Sequence, residues 1–302
     1  MSASSGHKLG QLVGDWFEEK VATYLLTRVA DELDLYLDHR FKPRECRSGK
    51  IIWSDLDGNN VDYDFVLELS GTEKEKGIPL AFFETFWRRG ARHSKDKARD
   101  DSGKLLPMRS TYPTARILGI ISAGDFTKPA QELVQSRGID LFYIPKANIC
   151  KAWELSGIQM DYDDGATEAV KGEITALVVQ QLTEIKKEEI FSNLLASVGE
   201  AFFTSYVKRI IAGIASIPIE YRITSIFIQK PVVFSTYEDA EKYLLSDDEC
   251  EITTGNHLFR YEAVFSEGNI FERDNLSSKD ALQLHSTVGK VANYFTAHHD
   301  KN

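Results

Sequence analysis

The sequence predicts an α/β protein, with a mixed sheet flanked by helices over residues 1–155 and an α+β region over residues 156–302. Three observations lead there. Short apolar runs, alternating or continuous, recur between residues 51 and 145. The stretch ARILGIISAGDFTKPAQELVQSRGIDLFYIP reads strand, helix, strand, and that spacing calls for a parallel crossover. Beyond about residue 150 the pattern becomes mainly helical before extended segments return.

Each element has its own signal. Leu12, Trp16, Val21, Leu25 and Val29 recur at helical spacing and predict a helix over 11–33. IIWSDLDGNNVDYDFVLEL predicts two strands joined by a tight turn at Asp57-Gly58-Asn59. In the second, Val61, Tyr63, Phe65, Leu67 and Leu69 should share one face, and Asp62, Asp64, Val66 and Glu68 the other. Leu80–Phe86 is a very apolar strand, and Ser94 caps a helix over about 95–105. Thr127 as N-cap, Pro129 in the first turn and Gly138 past the end punctuate the crossover helix. Residues 165–215 read as helices, YRITSIFIQKPVVFS as extended chain and TYEDAEKYLLS as helix. A hairpin turning at Glu267-Gly268-Asn269 and a last helix from SSKDALQL close the chain.

Composition narrows the class. The chain has 302 residues, 42% of them hydrophobic, enough for one large or two modest domains. No stretch reaches 18 uncharged apolar residues, so no membrane span is expected. The N-terminus lacks the apolar core of a secretory signal, and Cys46, Cys150 and Cys250 lie too far apart for a metal knuckle. A reducing, cytoplasmic setting is the expectation. The net charge of −10 argues against a protein that coats nucleic acid. The charge is uneven, however. Arg88, Arg89, Arg92, Lys95, Lys97 and Arg99 crowd one short run against a single acid, Asp96.

That run follows an acid set among aromatics, in AFFETFW. A buried Glu84 needs a partner or it takes up a proton. One answer is a salt bridge to Arg88 or Arg89. The other uses Asp62 and Asp64 on the preceding strand: adjacent strands lie about 5 Å apart, so the three carboxylates can converge on a hard divalent cation, Mg²⁺ or Mn²⁺. Two aspartates on an open strand face are otherwise simply solvated. The cations at the strand end, with Arg88, Arg92 and His93 at its mouth, would hold a phosphate backbone. The bland reading of SKDKARDD is a solvated helix face with Lys97 paired to Asp101.

The layout resembles the PD-(D/E)XK nuclease superfamily, over roughly residues 10–150. GDWFEEKVATYLL is similar to its first helix, NNVDYDFVLEL to the strand with the first catalytic Asp, AFFETFW to the strand with the second acid, and the strand–helix–strand stretch to its close. FRYE, FSEG and the Ala-containing helix that follows are similar to Type II restriction enzymes. The resemblance implies a restriction-endonuclease-like sheet and a Mg²⁺- or Mn²⁺-dependent endodeoxyribonuclease acting on double-stranded DNA as a homodimer. It implies that Glu18 supports the metal, with Asp62 or Asp64 and Glu84 as ligands. The sequence departs from the motif at two places: no proline precedes either Asp, and Phe86 stands where the lysine belongs. Lys95 or Lys97 from the next helix would then supply that lysine. The alternatives are a catalytically inactive nuclease fold that binds nucleic acid, or a structure-specific nuclease. The C-terminal region would serve DNA recognition, dimerisation or both.

Overall fold

Two helices, α1 (Ser5–Trp16) and α2 (Thr23–Leu33), run on through a π-helical turn at Phe17–Ala22 in the computed structural model, which describes residues 4–92, 94–254 and 258–299. Val13, Trp16, Phe17, Val21, Leu25 and Val29 are buried along one stripe, as the spacing requires. Single π turns concentrate at functional sites, and this one carries Glu18.

The strands β1 (Tyr36–His39), β2 (Ile51–Ser54), β3 (Asn60–Tyr63), β4 (Phe65–Leu69) and β5 (Ile78–Arg88) follow. Then come α3 (Ser94–Thr111), β6 (Ile117–Gly124), α4 (Lys128–Ser136), β7 (Asp140–Pro145) and α5 (Lys146–Leu155). The main sheet has five strands in the order β1-β4-β5-β6-β7. β1, β4 and β5 pair antiparallel, while β5, β6 and β7 pair parallel. This is the expected mixed sheet flanked by helices.

Two expectations change. The strand proposed to run from Val61 to Leu69 breaks at Asp64. β3 pairs with β2 in a separate two-stranded sheet, and only β4 joins the main sheet. Tyr63 therefore packs in the core under α3, whereas Phe65, Leu67 and Leu69 pack in the core under α1 and α2. The helix after β5 reaches Thr111 and carries Pro107 inside it, well past the expected end near 105. Proline removes one backbone donor, and bonds from neighbouring elements hold this stretch in place, as described below.

Helices α6 (Glu168–Gln181), α7 (Glu184–Val198) and α8 (Glu200–Ala215) come next. Their Val178, Ile190, Phe191, Leu194, Phe203 and Ile210 join the core of the first sheet, so that core continues beyond residue 155. A second sheet is built from β8 (Pro218–Ser225), β9 (Pro231–Phe234), β10 (Phe259–Phe265) and β11 (Ile270–Leu276), in the order β11-β10-β8-β9. Helices α9 (Tyr237–Thr254) and α10 (Ser278–His299) accompany it, and it has its own core around Phe259, Tyr261 and Ile223. Among the described residues no helix is long and apolar enough to cross a membrane.

One buried ionic clasp closes the β1 edge. Arg44 bonds Asp38 at 2.7 Å and Glu68 at 2.7 and 2.9 Å, and Arg47 bonds the other Asp38 oxygen at 2.9 Å. Arg44 also donates to the carbonyls of Thr72 and Glu75, tying the loop after β4 to the sheet. Removing one partner of a buried pair strands the others. Arg44→Met should therefore lower the unfolding free energy by about 3–5 kcal/mol, read as an earlier urea midpoint at an unchanged slope. A change below about 1 kcal/mol would show the clasp to be dispensable.

Candidate active site

Residues 82, 84 and 86 of β5 point to the layer that holds α3 and α4. Phe82 and Phe86 pack in that core, and Glu84 lies between them, 2% exposed. A carboxylate there is costly unless something answers it. What answers it is Lys104, whose Nζ donates to Glu84 Oε2 at 2.8 Å. The other oxygen, Oε1, is buried with no partner among the described residues. Burial, reinforced by the negative charge of Asp64, pushes the Glu84 carboxyl up to about 8, against the pull of Lys104.

Asp64 is the hub of the cluster. It stands in the break between β3 and β4, where its Oδ2 accepts from the Thr85 backbone N–H at 2.7 Å and the Thr85 hydroxyl at 2.9 Å. Those two bonds fasten the break to β5. The charge of Asp64 raises the carboxyls of Glu84, Glu18 and Asp101, and it favours the charged form of Lys104. For Lys104, burial acts downward and is outweighed by Glu84, Asp101 and Asp64.

Helix α3 brings the cations. Lys97, Asp101 and Lys104 are spaced four and three residues apart, and so share one helix face. Lys97 bonds Asp101 Oδ1 at 2.5 Å and lies 5.5 Å from the Phe86 ring centroid. Asp101 is fully buried, with Oδ2 unpartnered among the described residues. Phe86, in the position of the motif lysine, packs edge-on against Phe126. The lysine that reaches Glu84 comes from α3 and is Lys104, while Lys97 pairs with Asp101. Lys95 is exposed on the opposite side of the helix start.

The other predicted residues fall into three groups. Asp62 is not brought to the site: it stays on the β2–β3 hairpin, accepting from the Ile51 backbone N–H at 3.1 Å and pairing with Lys50 at 3.2 Å. Glu18 comes near Asp64, but both of its oxygens are held by Arg40, at 2.6 and 2.8 Å. Burial, opposed by Arg40 and reinforced by Asp64, raises Glu18 to about 7. Of the basic run, Arg89 turns away to Asp161 at 3.1 Å, Asp164 at 2.8 Å and the Tyr162 carbonyl, and it stacks on the Tyr162 ring. Arg99 is exposed beside Asp96, and Arg92 is exposed in the turn before α3. Arg88 is half-buried at the end of β5, where its carbonyl accepts from Asp125 at 2.7 Å. His93 lies outside the described residues. The expected salt bridge from Glu84 to Arg88 or Arg89 is replaced by the one to Lys104.

Among the described residues no group of three or more His, Cys, Asp or Glu side chains is disposed to hold a metal ion. Asp64 and Glu84 are coupled carboxyls, and Glu84 Oε1, buried with no partner among the described residues, would fit a hard cation once the carboxyl gives up the proton it holds up to about 8.

Comparison of the chain with protein-family models, with curated proteins and with solved structures gives no match in any of the three.

The Glu84 carboxyl has a consequence for stability in the absence of metal. Its folded-state value, about 8, lies above the ordinary 4.5, so the folded protein holds the proton more tightly than the unfolded chain. That contribution is complete below about pH 4.5 and is lost as pH rises through 8. In a chelating buffer, wild type should lose stability relative to Glu84→Gln between pH 5 and 9, by on the order of a few kcal/mol. Parallel pH–stability curves for the two proteins would show that Glu84 does not hold this proton.

Proposed function

We propose that the protein is a divalent-metal-dependent endodeoxyribonuclease with a restriction-endonuclease-like fold. One observation carries the reading: Lys104 reaches Glu84 from α3 at 2.8 Å, beside Asp64, while Phe86 occupies the motif lysine's own position. The order of elements supports it. A first helix bearing Glu18, the acid at the β3–β4 break, the acid in β5 and the closing β6–α4–β7 unit follow one another as in that superfamily.

Asp64 and Glu84 would hold Mg²⁺ or Mn²⁺. A divalent cation there lowers the pKa of a bound water and offsets charge on a phosphodiester oxygen. Lys104 then has two tasks. Its charge pulls the Glu84 carboxyl toward the ionised form that a bound cation would require, and it would donate a hydrogen bond to the attacking water or a phosphate oxygen. Glu18, locked by Arg40, fixes the electrostatic background of Asp64 without reaching the reacting atoms. Arg88, Arg92 and Arg99 would grip the DNA backbone from the β5 end.

The face of the second sheet that bears Arg222 and Arg260 is a poor phosphate surface. Its β8, β10 and β11 strands carry Glu220, Glu262, Glu272 and Asp274 against Arg222 and Arg260, largely paired with one another. Duplex contact therefore falls to the β5–α3 side. A two-fold homodimer would bring two such sites to the two strands of a palindrome.

A second reading, an inactive nuclease fold that binds nucleic acid, is favoured by the missing third carboxylate. Digestion of plasmid DNA with Mg²⁺ or Mn²⁺ separates the two. The nuclease reading expects cutting by wild type, none by Glu84→Ala with DNA binding retained, and a drop of about 10²–10³-fold in rate for Lys104→Ala. Lys95→Ala should cut at the wild-type rate. DNA binding with no cutting under either metal would establish the inactive reading, and full activity in Lys104→Ala would remove this lysine from the mechanism.

A further inference from the structure

A cavity of about 70 Å³ lies between the segment leaving α3 and the β10–β11 hairpin. Arg109 and Arg116 line it together with Phe265, Asn269 and Phe271, and the lining contains no acid. This is unexpected in a chain of net charge −10. A third guanidinium borders the place, since Arg273 lies 5.6 Å from the centroid of the Phe271 ring.

All three arginines spend donors on carbonyls at helix ends. Arg109 donates to Gly138 beyond α4 at 2.7 Å. Arg116 donates to Ile214 and Ser216 at the end of α8, the first at 2.7 Å. Arg273 donates to Ser110 and Thr111 at the end of α3, at 2.7 and 2.5 Å. A helix C-terminus presents only about half a negative charge, so each cap leaves positive charge over. No described carboxylate pairs with any of the three. Arg116 is 8% exposed, and its Nε is buried with no partner among the described residues, as is Nε of Arg273. Burial pulls all three guanidinium groups downward, Arg116 to about 9, as expected where negative charge is lacking.

We propose that this cavity is a binding site for a small oxyanion of the phosphate class, held by Arg116 and Arg109. The volume takes a few waters or one tetrahedral anion. Guanidinium forks match oxyanion geometry, and their hydrogen bonds to it are charge-assisted. Asn269, whose amide can donate, and the rings of Phe265 and Phe271 complete the lining. The anion is either free phosphate or a backbone phosphate of nucleic acid lying along α3. The site stands whether or not the protein cuts DNA.

Calorimetric titration of the full chain with inorganic phosphate, in a metal-free zwitterionic buffer, tests it. One phosphate per chain should bind, with a rise in melting temperature. Arg109→Gln, whose half-buried side chain can be changed with the fold checked by circular dichroism, should weaken binding roughly ten- to a hundredfold. A parallel titration with a short DNA duplex assigns the source. Competition between phosphate and duplex, with both weakened by Arg109→Gln, identifies the backbone phosphate; duplex binding indifferent to both identifies the free anion. Absence of phosphate binding in wild type, or equal binding in folded Arg109→Gln, overturns the proposal.

Discussion

A carboxylate inside the central strand governs this molecule. Glu84 is 2% exposed between Phe82 and Phe86, where an ion without a partner costs several kcal/mol. The one group among the described residues that answers it, Lys104, arrives from another element, so the whole of α3 has to be held in register with β5. The remaining charge is repulsive: Asp64, Asp101 and Glu18 all raise or share the cost of anions in the same small volume. A purely structural solution would have placed an apolar residue at position 84. An acid is kept there instead, with one oxygen left unpartnered among the described residues, and the proposed cation would answer it.

Helix α3 is accordingly clamped from several sides. The Tyr63 hydroxyl donates to the Lys104 carbonyl at 2.7 Å, Leu56 N–H to the Thr111 hydroxyl at 3.1 Å, and Tyr112 to the Ser54 carbonyl at 2.9 Å. Arg273 of β11 caps its last turn. The β2–β3 hairpin and the second sheet thus both bear on the helix that carries Lys104. The break of the strand at Asp64 has a part in this. It frees β3 to form the hairpin that holds α3, and it leaves Asp64 anchored to Thr85 beside the site.

Much of this was legible in the residues. The crossover β6–α4–β7 is legible in Pro129 and Gly138, whose effects are local, while Thr127 stands at the N-cap position with no capping bond from its side chain. The acid in AFFETFW stood out because an apolar strand tolerates no idle charge. The break at Asp64 was not legible: alternation runs unbroken from Val61 to Leu69, and only the pairing of β3 with β2 decides it. The helix expected to end near 105 runs to Thr111, and tertiary bonds to Lys104, Ser110 and Thr111 hold it past Pro107. Lys104 had a signal, the shared face of Lys97, Asp101 and Lys104, which lies within the expected helix over about 95–105. No local signal ties Glu18 to Arg40, since their pairing depends on how α1 and β1 meet.

The most direct test of the central claim is the anomalous diffraction signal from crystals soaked in Mn²⁺. The account predicts a peak between the carboxylates of Asp64 and Glu84, with Lys104 released from Glu84 Oε2 or sharing it. A map with no peak there, and the Lys104–Glu84 contact unchanged, would mean that the buried acid serves only its own ion pair.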